Sequence, residues 1–261
     1  MALKILFIGD IIGKPGRQAL SRELDRLVDR YFVDLVLVNG ENAAGGFGLT
    51  LDVVKELFDL GVHGITSGNH IWDKREQVPL VLANPSILRP ANYPPGAAGR
   101  GSMVLKTAGG VKVAVLNLEG RIYMKNLECP FRIADREIEQ LRQETPIIFV
   151  DFHAEATSEK ASLGWYLDGR VSAVIGTHTH VQTADERILT QGTAYMSDAG
   201  MTGSFDSVIG IGKEEAIHKF LTQLPVKFEI PKKDIRLNGV VVEIDEVSGK
   251  ALSIERINIS C

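Results

Sequence analysis

Four of the six histidines in the sequence stand at the ends of short apolar runs, accompanied by oxygen-bearing side chains. The run 3–8 ends in Gly9-Asp10, and the run 33–38 in Asn39-Gly40-Glu41-Asn42. Residues 63–66 lead into Ser67-Gly68-Asn69-His70, 147–150 into Asp151-Phe152-His153, and 171–175 into Gly176-Thr177-His178-Thr179-His180. Alone, each fragment has an ordinary explanation. Gly-Asp after a strand is usually a turn, asparagine tolerates left-handed geometry, and His-x-His is often incidental. Together they offer carboxylate, amide oxygen and imidazole donors for two cations, with one carboxylate able to bridge. Mixed nitrogen and oxygen ligation suits manganese, iron or zinc. With no thiolate in the set, a closed structural zinc site is disfavoured. Paired cations about 3.5–4 Å apart recur in enzymes that hydrolyse phosphate esters, where they hold phosphate oxygens and activate a water. His63 and His218 lie outside these positions and read as structural or solvent-exposed.

Such a set is useful only if the fold gathers it. Strands are expected at 3–8, 33–38 and 63–66. A helix opens near Pro15, with Leu20, Leu24, Leu27, Val28 and Tyr31 at helical spacing. Thr50 is a candidate N-cap for a helix carrying Val53, Val54, Leu57 and Phe58, and Gly61 a stop for it. Further strands are expected at 87–90, at 103–106 and 111–116 as a hairpin turning at 108–110, and at 147–151 and 171–175. Asp135 can cap a helix holding Ile138 and Leu141, and another helix falls near 158–167. Shorter strands at 186–190 and 193–196, an amphipathic segment at 214–224, and antiparallel strands at 240–244 and 252–257 complete the pattern. The Pro/Gly-rich stretch 90–101 reads as a surface loop. Neither repeat, low-complexity segment nor linker interrupts the chain, so one mixed α/β domain over 1–261 is expected, with parallel strands early and hairpins later. In such sheets ligands bind beyond the carboxyl ends of the strands, which places all five fragments along one edge.

Bulk properties narrow the function classes. A composition of 44% hydrophobic and 24% charged residues is that of an ordinary globular chain. The net charge of -4 argues against an extended nucleic-acid surface. Two cysteines, Cys129 and Cys261, make neither a disulfide framework nor a cysteine metal site. No apolar run approaches the roughly 20 residues of a spanning helix. The N-terminal run is short and ends at an aspartate, unlike a signal peptide, so the cytoplasm is the expected compartment.

Asp10, Gly68-Asn69-His70, His153 and Gly176-x-His178-x-His180 resemble the signature of calcineurin-like metallophosphoesterases, which runs D-x-H, GD, GNH, H and GHxH. Ile12 stands where D-x-H has its histidine, and Glu41, followed by Asn42, replaces the usual bridging aspartate. The bacterial YmdB-like branch shares both departures. The blocks Gly40-Glu41-Asn42, 66–73, 151–160 and 195–201 resemble that branch across nearly the whole chain. The resemblance implies a four-layer α/β/β/α sandwich with two mixed central sheets flanked by helices. It also implies two metal ions, iron or manganese favoured and zinc possible. Asp10, Glu41, Asn42 and His180 would serve one ion, Glu41, Asn69, His153 and His178 the other. The implied reaction is hydrolysis of small cyclic nucleotides, 2′,3′-cyclic before 3′,5′-cyclic, by in-line attack of a metal-activated hydroxide. His70 would be the general acid that protonates the departing ribose oxygen; a purely orienting hydrogen bond is its other reading.

Several residues keep two readings. Asp73 could orient His70, and Asp151 could orient the site from behind. Phe47, in the glycine-rich loop 45–48, could stack on a base or simply anchor the loop. Lys14 and Arg17 could meet a phosphate at a helix start or lie in solvent. Asp198 and Asp206 read as loop hydrogen bonders. A phosphomonoesterase or RNA-end nuclease, or a metal-stabilised regulatory protein that binds nucleotide, would fit the same ligands. A homo-oligomer is expected through the edge of the C-terminal strands.

Overall fold

The computed structural model describes residues 2–261. The chain first lays down β1 (Ala2–Ile8), β2 (Asp10–Ile11), β3 (Leu35–Asn39) and β4 (Gly64–Thr66). It then builds β5 (Ser102–Lys106), β6 (Lys112–Glu119), β7 (Ile148–His153), β8 (Ala173–Thr177), β9 (Arg187–Ile188) and β10 (Ala194–Met196), before returning with β11 (Met201–Ser204), β12 (Ile235–Asp245) and β13 (Ala251–Ser260). Two mixed sheets result. A seven-stranded one runs β2-β11-β12-β1-β3-β4 with β13 paired to β12, and a six-stranded one runs β5-β6-β7-β8-β10-β9. The helices are α1 (Gly13–Tyr31), α2 (Leu51–Asp59), the single turn α3 (Val78–Val81), α4 (Pro130–Leu141), α5 (Thr157–Leu167) and α6 (Lys213–Thr222).

The layers follow from strand alternation. Successive side chains point to opposite faces, so β1 sends Leu6 and Ile8 one way and Leu3, Ile5 and Phe7 the other. Leu6 and Ile8 join Leu20, Leu24 and Leu27 of α1 and Val53 and Leu57 of α2 in an outer core. Leu3, Ile5 and Phe7 meet Val113, Val115, Phe149 and Ile175 of the other sheet in a central core. The Phe7 and Phe149 rings lie 5.2 Å apart across this interface. On the far side, Leu116, Val150 and Phe152 pack against Ile138 of α4 and Leu163 of α5. The order is helix, sheet, sheet, helix, as the family resemblance implied.

Most elements fall where the residue pattern put them. Thr50 does cap α2, its hydroxyl oxygen accepting from the Val53 amide at 3.4 Å. Three expectations fail. Residues 87–90 form no strand, only the isolated bridges Ile65–Ile87 and Leu88–Arg100, because Pro90 cannot extend a ladder. Asp135 does not cap α4; Pro130, preset for a first helical turn, starts the helix earlier, after Cys129. Parallel pairing is not confined to the early strands, since β6, β7, β8 and β10 all pair in parallel.

Candidate metal centre

Both sheets end at the same place. Asp10 opens β2, Asn39 ends β3 just before Glu41 and Asn42, His153 ends β7, and His178 and His180 follow β8. Asn69 and His70 begin a 3₁₀ turn three residues after β4. The structure brings all eight predicted site residues together. Glu41 stands at the middle: it forms one potential metal-holding group with His153 and His178, and another with Asp10 and His180. Asn42 lies against the second, its Nδ2 3.0 Å from Glu41 Oε1 and 3.2 Å from His180 Nε2. Asn69 lies against the first, with Oδ1 3.0 Å from His153 Nε2.

The hydrogen bonds behind the cluster fix which histidine nitrogens face it. The Thr177 hydroxyl donates to Asp151 Oδ1 at 2.7 Å, so at 2.9 Å from His153 Nδ1 it can only accept. A neutral His153 therefore carries its proton on Nδ1 and leaves Nε2 bare. His180 Nδ1 donates to the Ile209 carbonyl at 2.8 Å, again baring Nε2. His178 Nε2 lies 3.2 Å from Glu155 Oε2, which leaves Nδ1 facing inward. That Nδ1 is 3.0 Å from His153 Nε2. Two lone pairs pointed at each other repel unless a proton or a cation lies between them. Asp10 Oδ1 and Asn42 Oδ1 are buried with no hydrogen-bond partner, which is costly unless something else satisfies them. Three bare imidazole nitrogens, two carboxylates and two amide oxygens fit a pair of cations of mixed nitrogen and oxygen preference.

Electrostatics agree. Burial opposes charge on His153, but Glu41 and Asp10 beside it win and hold the imidazole up to about 9. Burial likewise opposes the Glu41 carboxylate, yet His153 and His70 keep it well below the usual range. Burial pushes Asp10 up and Asp151 up to about 7. Burial, reinforced by His153, drops His178 to about 3, so it stays neutral. The cluster thus favours positive charge at its centre while keeping His178 in the unprotonated form that ligation requires.

Backbone geometry is equally specific. His178 and His180 have φ of 99° and 65°. They converge through left-handed turns rather than through the alternation of an extended strand, which ends at Thr177. Thr179 faces away and bonds Asp198 Oδ2 through both its amide (3.1 Å) and its hydroxyl (2.7 Å). Gly68 is required for close approach: a Cβ there would lie 2.1 Å from His153 Cδ2.

Asp198 is more than a loop hydrogen bonder. Lys160 of α5 reaches its Oδ2 at 2.6 Å, and both side chains are buried. This ion pair lies directly under the loop that carries His178 and His180. Removing one partner of a buried pair strands the other. Lys160→Met is therefore expected to destabilise the protein by about 3–5 kcal/mol and to lower metal occupancy. Thermal melting with metal analysis checks it; an unchanged Tm would count against the role. Composition offered no sign of this pair, since lysine and aspartate are ordinarily surface residues.

Asp151 lies behind His153 as expected, accepting from Asn39 Nδ2 at 3.0 Å, Thr66 Oγ1 and Thr177 Oγ1. His70 lies at the rim: its amide donates to Glu41 Oε2 at 3.1 Å, and its Nδ1 is 2.8 Å from Asp73 Oδ2. Its ring centroid is 5.0 Å from that of Phe47. Arg17 turns to Glu56 and the Ala43 carbonyl rather than to the cluster. His63 accepts from the Val36 amide, and His218 sits on α6, both outside the site. Thr177, Glu155 and Ile209 are the positioning residues that sequence reasoning missed; a threonine or isoleucine that aims a histidine carries no compositional signal.

A family model described as YmdB-like protein matches residues 6–257. The chain belongs to the YmdB-like family. A 2′,3′-cyclic-nucleotide 2′-phosphodiesterase of Bacillus subtilis (strain 168) is 49% identical over 258 residues, which span 99% of this chain and 97% of that one. Among solved structures, a hypothetical protein from Thermus thermophilus superposes with a TM-score of 0.92 at 41% identity, covering 99% of each chain. A novel phosphatase from Mycoplasma pneumoniae superposes with a TM-score of 0.94 at 37% identity, over 100% of this chain and 94% of that one. The chain thus shares its whole fold with a protein described as a phosphatase.

Proposed function

We propose that the chain is a metal-dependent phosphodiesterase that opens small cyclic nucleotides, 2′,3′-cyclic before 3′,5′-cyclic. The observation that carries this reading is the set of three inward-facing bare imidazole nitrogens around Glu41. The likeness to a 2′,3′-cyclic-nucleotide 2′-phosphodiesterase supports the substrate class. Asp10, Glu41, Asn42 and His180 would hold one cation, and Glu41, Asn69, His153 and His178 the other. Iron or manganese suits this donor set best, and zinc is accommodated. When bound, the cations supply charge neutralisation at the phosphate and an activated water for in-line attack.

The chain's own groups do the rest. Asp151 and Thr177 keep His153 in the ligating tautomer, and the Ile209 carbonyl does so for His180. Glu41 both joins the two halves and fixes the His70 backbone. His70, held by Asp73, delivers a proton to the ribose oxygen as its bond to phosphorus breaks. For cleavage at the 2′ position, one water is consumed: its oxygen joins phosphorus, the P–O2′ bond breaks, O2′ gains a proton, and a 3′-monophosphate remains.

A single domain over 1–261 is part of the proposal, supported by a cluster that draws residues from both sheets. No helix among the described residues is long and apolar enough to cross a membrane; a cytoplasmic protein, homo-oligomeric through the β13 edge, is the accompanying proposal. Metal-loaded protein incubated with 2′,3′-cyclic AMP is expected to release 3′-AMP, with turnover lost on chelation and restored by added metal. Parallel assays on a monoester and on short RNA separate the rival esterase readings. Absence of metal-dependent turnover on every phosphodiester tried would sink the proposal.

A further inference from the structure

The metal cluster forms one wall of a cavity of about 270 Å³. Glu41, Asn42, His70, His178 and His180 line it together with Phe47, Ile209, Ile211, Phe228 and Ile230. That volume lies near the lower end of small-molecule sites, roughly 300–1,000 Å³, and so suits a mononucleotide rather than a polymer track. Such a lining suits a ligand that combines an anionic group with an apolar face.

We infer that the apolar part of this lining, Phe47 with Ile209, Phe228 and Ile230, is a nucleobase subsite. This rests on the reading of the cluster as a cyclic-nucleotide phosphodiesterase, and adds what recognises the rest of the substrate. A sugar phosphate would set its hydroxyls against isoleucines and leave them unsatisfied. A base presents a π-face, and stacking on aromatic and apolar groups is tolerant of base identity.

The wall is built rather than incidental. Ile209 has φ of 47°, a left-handed conformation that is an outlier for a β-branched residue. That conformation accompanies two roles: its carbonyl accepts from His180 Nδ1, and its side chain, 47% exposed, lines the cavity. The segment 228–230 lines the cavity. The Glu229 carbonyl accepts from the Gly212 amide at 2.9 Å. Ile230 Cδ1 sits over two glycines, 2.5 Å from where a Cβ on Gly13 would be and 3.1 Å from one on Gly46. Lys219 Nζ lies 4.9 Å from the Phe228 ring centroid and steadies it. Gly46 and Gly48, with φ of 96° and 74°, flank Phe47 and set its approach. Since a hydrophobic pocket discriminates weakly between isosteric rings, adenine and guanine should be accepted similarly.

The test is the affinity of the metal-loaded protein for adenosine 3′-monophosphate against ribose 3-phosphate, measured by calorimetry beside turnover of 2′,3′-cyclic AMP. Wild-type protein is expected to bind the nucleotide roughly ten-fold or more tightly than the sugar phosphate, the order of one stacked base. Phe228→Ala and Phe47→Leu should each bring that ratio towards one while raising KM more than they lower kcat. Far-ultraviolet circular dichroism and melting confirm that both variants fold. A wild-type ratio near one, or a ratio that neither variant changes, overturns the subsite. A ratio that behaves as expected without turnover leaves the subsite standing and removes the phosphodiesterase assignment instead.

Discussion

Glu41→Gln is expected to empty the metal centre and abolish turnover, although it exchanges a single oxygen for an amide nitrogen. Glu41 belongs to both potential metal-holding groups, so losing its charge weakens both at once. Its Oε1 lies 3.3 Å from His153 Nε2 and accepts from Asn42 Nδ2. A glutamine that keeps the bond from Asn42 with its oxygen must spend its amide on the His70 N–H, donor against donor. The substitution also withdraws the negative charge that favours positive charge beside His153. Removing one member of a buried charged pair costs about 3–5 kcal/mol. At about 1.4 kcal/mol per decade, cation affinity should fall by at least about 100-fold. Metal analysis of freshly purified protein is expected to find about two ions per chain in the wild type and a marked deficit in the variant. Full occupancy and activity in Glu41→Gln would exclude the bridging role.

Glu41 also shows what the residue pattern could and could not disclose. Polar ligand-capable residues after five apolar runs pointed to the cluster, since parallel strands of a sheet end on one side; that two sheets bring their ends to the same place is a structural finding. The four layers came with the family resemblance alone; their physical cause, the sorting of residues such as Leu6 and Phe7 to different cores, is a structural finding. What stayed hidden acts through tertiary contact. Nothing in Thr177 or Ile209 as residue types marks them as the groups that set the tautomers of His153 and His180. The convergence of His178 and His180 depends on left-handed backbone held from below by the Lys160–Asp198 pair and the Thr179 hydrogen bonds, and by the bond from the His178 amide to Asp10. The β11 strand, Met-Thr-Gly-Ser, lacks apolar alternation and is held by pairing to β2 and β12. Even Phe228, central to the proposed subsite, follows a helix whose apolar residues Phe220 and Leu221 are largely exposed; no periodicity pointed it at the cavity.

His70→Ala should lower kcat on 2′,3′-cyclic AMP by about 10²–10⁴-fold, the span of a lost general acid, and towards the lower end of it. Ring strain in the five-membered cyclic phosphate already assists departure of the ribose oxygen, so less help from a proton is needed than for an unstrained ester. The size of the loss should therefore track the leaving group. With bis(p-nitrophenyl) phosphate, whose phenolate departs without protonation, the variant should retain most of its activity. With 3′,5′-cyclic AMP, whose alkoxide leaves from a less strained ring, the loss should be largest. Asp73→Asn keeps the Nδ1 contact near 2.8 Å but removes the charge facing the imidazolium, and should fall between wild type and His70→Ala on the nucleotide substrates alone. The measurement is kcat for the three substrates across the three proteins, with metal content determined for each. Because the His70 amide donates to Glu41, a backbone disturbance could mimic acid loss, but it would depress all three substrates together and reduce metal occupancy. Equal losses on the aryl and cyclic esters at full occupancy would leave His70 an orienting residue rather than the acid.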